Sequence, residues 1–106
     1  SNMTSMFRGA IAFDQPIGSW NTINVTSMNS MFQSATSFNQ PLNKWNVSKV
    51  TDMERMFNRA SIFNQDLSQW CVSLIKTKPL DFDTDADKWT LPKPNWGTCP
   101  RGENKK

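Results

Sequence analysis

Met53-Glu54-Arg55-Met56-Phe57-Asn58-Arg59-Ala60, continued by Phe63-Asn64-Gln65-Asp66-Leu67 and closed by Trp70, has two further copies in the chain. A shift of 25 residues gives Met28, Met31, Phe32, Ala35, Phe38, Gln40 and Trp45, and a second shift gives Met3, Met6, Phe7, Ala10, Phe13, Gln15 and Trp20. A period of that size, held without insertion, marks a chain that coils and stacks each coil on the last. Two further columns stay aliphatic: Ile17, Leu42, Leu67 and Val25, Val50, Ile75. Polar columns such as Arg8, Gln33, Asn58 vary freely, because an outward side chain meets only water.

Within one copy, Met53, Met56, Phe57 and Ala60 fall at i, i+3, i+4 and i+7, the spacing of one face of a two-turn helix. Thr51 and Glu54 stand where a capping box would start it. Trp45 and Val47, like Trp70 and Val72, alternate as a half-buried strand does, and Ser48-Lys49 breaks the run. The expected fold class is therefore an α/β repeat solenoid, leucine-rich-repeat-like, with short parallel strands on one side and short helices on the other. Its repeats are 3–27, 28–52 and 53–77, with a cap at 78–100 and a tail at 101–106; residues 1–2 read as an expression scar. The expected core is Met28, Met31, Phe32, Ala35, Phe38 and Trp45 with Met53, Met56, Phe57, Ala60, Phe63 and Trp70.

The period degrades after Trp70, and the next Met in the series does not arrive. An open last coil would expose apolar surface, so the segment with Phe82, Trp89, Leu91 and Trp96 is expected to close it. Cys71 and Cys99 bracket that cap and are the sole cysteines of the chain. In an exported protein they read as a disulfide; free thiols or half a metal site are the other readings. With no His in the sequence, zinc has too few ligands. Asp81, Asp83, Asp85 and Asp87 alternate as oxygen ligands of calcium can, but Ala86 and Pro92 stand where an EF-hand loop counted from Asp81 needs Gly and Glu. A solvated acidic turn is the expectation, with no metal or other cofactor.

The 106 residues suffice for one domain with a modest core, in which seven Phe and five Trp carry much of the apolar bulk. Charge gives no nucleic-acid signature: residues 1–70 hold five Lys/Arg against four Asp/Glu, and residues 71–106 hold seven against five. No run approaches the roughly 18 apolar residues of a membrane span. The Asn-Gln pairs at 39–40 and 64–65 invite a ligand-binding reading, but amides inside a turn more simply satisfy backbone groups.

The string Val50-Thr51-Asp52-Met53-Glu54-Arg55-Met56-Phe57, with Ala60, Phe63 to Leu67 and Trp70, closely resembles the repeat of about 25 residues in BspA-like leucine-rich-repeat proteins and in Mycoplasma lipoproteins of unknown function. Trp96-Gly97-Thr98-Cys99-Pro100 resembles the C-terminal closure of some members. The resemblance implies an extracellular or cell-surface protein, its signal or anchor outside this fragment. It also implies a non-enzymatic module for adhesion or protein recognition, in some members of matrix proteins such as fibronectin or fibrinogen. No binding residue transfers with the motif. Alternatives are a carbohydrate-binding module using Trp89 or Trp96, and a spacer within a larger surface protein. An enzyme built on Asp52, Glu54 and Asp66 lacks a paired spacing and any nucleophile motif. Since every repeating column has a structural job, recognition is expected in the non-repeating columns Arg8, Gln33, Asn58 and Ser19, Lys44, Gln69. The oligomeric state has no sequence marker.

Overall fold

The computed structural model describes residues 2–100; the expected tail and Ser1 of the expected scar lie outside that range. Among the described residues there is no helix, and β pairing is limited to the isolated parallel bridges Asn2–Ser27 and Ser27–Asp52. The expectation of an α/β, leucine-rich-repeat-like solenoid with helices and parallel strands is thereby overturned. What replaces it is a compact body of 38 × 28 × 25 Å built almost wholly from tight turns.

The hydrogen bonds explain why a helical pattern makes no helix. In the string beginning at Met53, the amides of Met56, Asn58 and Ala60 donate three residues back, to the carbonyls of Met53, Arg55 and Phe57. The amides between them, on Arg55, Phe57 and Arg59, instead leave the segment and donate to Leu80, Phe82 and Thr84 at 2.8–2.9 Å. A helix would send every amide four residues back. Here half of them tie the segment to its neighbour. The backbone is left-handed at Arg55 (φ 57°) and Arg59 (φ 63°), the third position of alternate turns, where a type II turn requires it. Met53, Met56, Phe57 and Ala60 nevertheless all face inward, fully buried. A string of such turns and a helix therefore share the same 3-and-4 spacing of apolar residues.

The same scheme runs through the copies at 28–52 and 3–27. Met28, Ser30, Phe32 and Ser34 donate to Asp52, Glu54, Met56 and Asn58; Met3, Ser5, Phe7 and Gly9 donate to Ser27, Asn29, Met31 and Gln33. The chain thus forms three layers in register. The capping box is replaced as well: the side chain of Asp52 accepts from the Glu54 amide, and Asn2 does the same for Thr4. The Trp45–Val47 and Trp70–Val72 segments keep the buried-exposed alternation but close turns, Val50 to Val47 and Ile75 to Val72, in place of a ladder.

Phenylalanines fill the space between layers. Phe32 and Phe38 stack at 4.3 Å within a layer, and Phe7, Phe32 and Phe57 lie over one another at 5.4–5.6 Å. Phe13, Phe38 and Phe63 form a second pile at 5.6–5.9 Å. Each fully buried ring stabilises the fold by roughly 1.5–3 kcal/mol. Indole N–H groups add polar ties: Trp45 Nε1 donates to the Ile17 carbonyl and Trp70 Nε1 to the Leu42 carbonyl, at 3.0 and 2.9 Å. Trp20, in the first layer, is 40% exposed, and Met6 and Ile11 share that open face.

The layer motif continues past residue 77 with one residue added. Phe82 donates to Pro79, Ala86 to Asp83 and Trp89 to Ala86, repeating the Met56, Ala60 and Phe63 turns 26 residues on. Asp81 and Asp85 are left-handed like Arg55 and Arg59. Two rings end the piles by turning edge-on: Phe82 meets Phe57 at 81°, and Trp89 meets Phe63 at 84°. The chain then returns along the third layer, Val72 donating to Thr98, and Cys71 is bonded to Cys99. Gly97 is left-handed (φ 79°) where a Cβ would stand 3.3 Å from the Lys76 carbonyl oxygen.

Among the described residues seven non-glycine positions occupy left-handed backbone, at a cost of about 1–2 kcal/mol each. Gly9 occupies the position that Ser34 and Arg59 take in the next layers. Ser34→Gly is expected to raise stability by about 1 kcal/mol, and Gly9→Ala to lower it by a similar amount. Urea denaturation would measure both. Reduction of Cys71–Cys99, which spans 28 residues, is expected to cost roughly 3.5 kcal/mol in the chain-entropy model, read as a lower melting temperature in reductant.

Candidate functional site

Of the residues singled out by spacing, most are consumed by the scaffold. Met28 to Trp70 of the expected core are all at most 3% exposed. The acid-amide column serves the backbone: Asp14 accepts from the Asn39 amide, Asn39 from Asn64, and Asn64 from Thr90 and Leu91, at 2.8–2.9 Å. Gln40 and Gln65 brace it by donating to Asp14 and Asn39. Trp89 is 5% exposed and donates to the Gln65 carbonyl, while Trp96 packs edge-on against Phe82. Asn58 is buried, bridging Gln33 and the Thr84 carbonyl.

The three candidate calcium ligands diverge. Asp81 faces Arg55 at 3.9 Å, Asp85 faces Arg59 at 3.8 Å, and Asp83 turns to the interior. Among the described residues no group of three or more acidic, Cys or His side chains could share a metal ion. Asp83 occupies the backbone position that Phe57 holds one layer earlier, while the ring set against Phe57 comes from Phe82. Burial pushes its pKa up, but hydrogen bonds from Lys78 (2.8 Å) and Lys93 (3.2 Å) outweigh this and hold it below the usual carboxylate value. Lys93 also lies over the Trp89 ring, 5.3 Å from its centre.

Two of the non-repeating columns open into depressions. Lys44 and Gln69 line a groove of 570 Å³ with Asn43, Asn46, Ser48 and the Cys71–Cys99 bridge. Asn46 is fixed there, its side-chain oxygen accepting from both the amide and hydroxyl of Ser48. Lys44 and Gln69 are exposed and engage no partner among the described residues. A notch of 180 Å³, lined by Gly18, Ser19 and Pro41, adjoins this groove and shares Asn43 and Lys44 with it. Gly18 makes the notch by close approach: a Cβ would stand 2.8 Å from the Pro41 carbonyl oxygen. A second groove, of 420 Å³, is lined by Arg8, Gly9, Gln33, Ser34 and Arg59.

The fourth, partial layer escaped a strict 25-residue period. Its signal is a 26-residue offset, which aligns Phe82, Ala86 and Trp89 with Met56, Ala60 and Phe63. A family model described as a Mycoplasma protein of unknown function, DUF285, matches residues 1–89 and so runs through that layer. No curated protein and no solved structure matches the chain.

Because the folded-state pKa of Asp83 is depressed, its ion pairs stabilise the fold above the unfolded value of about 3.9 and are lost as pH falls through the lower folded value. Asp83→Asn is expected to cost about 1–2 kcal/mol at pH 7 and to flatten the loss of stability below pH ~4. Urea midpoints from pH 7 to pH 2 would show it; an unchanged acid limb would refute the assignment.

Proposed function

We propose that this chain, which belongs to the DUF285 family of Mycoplasma proteins of unknown function, is a non-enzymatic recognition module. Its contact surface is the groove beside the disulfide together with the notch that joins it. One observation carries the reading: two adjoining depressions share Asn43 and Lys44, and Lys44 and Gln69 in their lining are exposed and engage no partner among the described residues. Asn43, Lys44 and Gln69 offer donors and acceptors suited to a partner's backbone, and the notch over Pro41 accepts one apolar side chain. The repeat string at residues 50–70 supports kinship with BspA-like surface proteins, and a disulfide suits an oxidising, extracellular setting. The partner class we propose is therefore protein outside the cell, matrix proteins included. The burial of Trp89 favours this face over a sugar platform in the C-terminal segment.

The test is surface plasmon resonance against immobilised fibronectin and fibrinogen, with wild type, Lys44→Glu and Gln69→Ala. Lys44→Glu is expected to weaken binding about tenfold or more with no change in melting temperature. Binding indifferent to both substitutions, or absent at 100 µM-order concentrations, would sink the reading.

A further inference from the structure

The second groove has a chemistry of its own. Arg8 belongs to the first layer and Arg59 to the third, so at roughly 4.8 Å per layer their backbones stand about 10 Å apart, with Gln33 and Ser34 between them. Two long guanidinium side chains can converge on one group across that distance. No carboxylate lines the groove. Arg8 is exposed and has no acidic partner among the described residues. Arg59 has only a loose one, Asp85 at 3.8 Å from its Nε, with both side chains more than 60% exposed.

The neighbouring amides do not compete for an anion. Gln33 Nε2 donates down the stack to Asn58 at 2.9 Å, and Asn58 Nδ2 donates onward to the Thr84 carbonyl at 3.1 Å. The backbone amides of Gly9, Ser34 and Arg59 are spent between layers. The groove is lined by Arg8, Arg59 and Ser34, two guanidinium side chains and a hydroxyl, a donor set that matches a tetrahedral oxyanion.

We infer that the groove between Arg8 and Arg59 binds a sulfate ester of an acidic polysaccharide, each fork taking separate sulfate oxygens and Ser34 donating to the third. Arg8, Gly9 and Arg59 in its lining are solvent-exposed, so a polymer that carries the sulfate can reach it. The disulfide supports an extracellular setting, where sulfated glycans are common polyanions. The inference extends the recognition reading to a different surface and a different ligand, so each can fail alone.

The experiment is titration of the protein with a heparin-derived tetrasaccharide, followed by amide NMR shifts and calorimetry at low and physiological salt. Shifts are expected at residues 8–9, 33–34 and 59. Arg8→Ala and Arg59→Ala are each expected to weaken binding about tenfold, and Arg8→Lys about threefold because the fork is lost. Lys88→Ala removes the same charge from an exposed site outside the groove and is expected to change affinity less than twofold. Equal binding of the desulfated tetrasaccharide, tighter binding of a phosphoserine peptide, or equal losses from Lys88→Ala and Arg8→Ala would each overturn the inference. Melting temperatures within 2 °C of wild type on the order of measurement error would confirm that the variants are folded.

Discussion

Every second backbone amide along the string of turns is committed to the next layer, and the rest of the structure follows from that division. Half of the donors close turns locally, which curls the chain tightly and drives Met, Phe and Ala inward. The other half stitch layers together, which fixes register so that like side chains meet. Register in turn lets the six phenylalanines stack and lets each buried indole reach a carbonyl of the preceding layer. Left-handed backbone at Ser30, Ser34, Arg55 and Arg59 is the conformational cost of this arrangement, offset by buried rings and paired amides.

Much of this was legible in the sequence, and the limits have physical causes. The buried columns could be read because stacked positions see the same environment in each layer. The local conformation could not, because apolar residues at i, i+3, i+4 and i+7 satisfy both a helix and a chain of turns. A preference for left-handed backbone would have separated the two, but only Gly9 advertises it; Ser5, Ser30, Ser34, Arg55 and Arg59 do not. The fourth layer was hidden by one added residue and by Asp83, a carboxylate at the backbone position that Phe57 holds one layer earlier, which requires Lys78 and Lys93 to be present. The role of Asn58 was also unreadable, since a polar residue in a variable column gives no hint that it bridges layers.

The division of labour between columns shapes the surface. Columns that repeat are exhausted by packing and by backbone satisfaction, including the acid-amide ladder from Asp14 to Asn64. Columns that vary decorate grooves whose walls the scaffold sets, as Lys44 and Gln69 do beside the disulfide and Arg8 does at the other groove. A new binding preference can thus arise by substitution at these positions with little effect on the stack.

The stitching also gives the stack a sense of direction. Along the string of turns the amides of one layer always point to the carbonyls of the layer that follows it in the chain. The face of the first layer therefore offers the carbonyls of Thr4, Met6 and Arg8, which take no part in the pairing between layers, beside the exposed Met6, Ile11 and Trp20. Two molecules brought together through that face would set acceptor against acceptor. What that row of acceptors matches is a row of donors, such as the amides that each layer presents to the next.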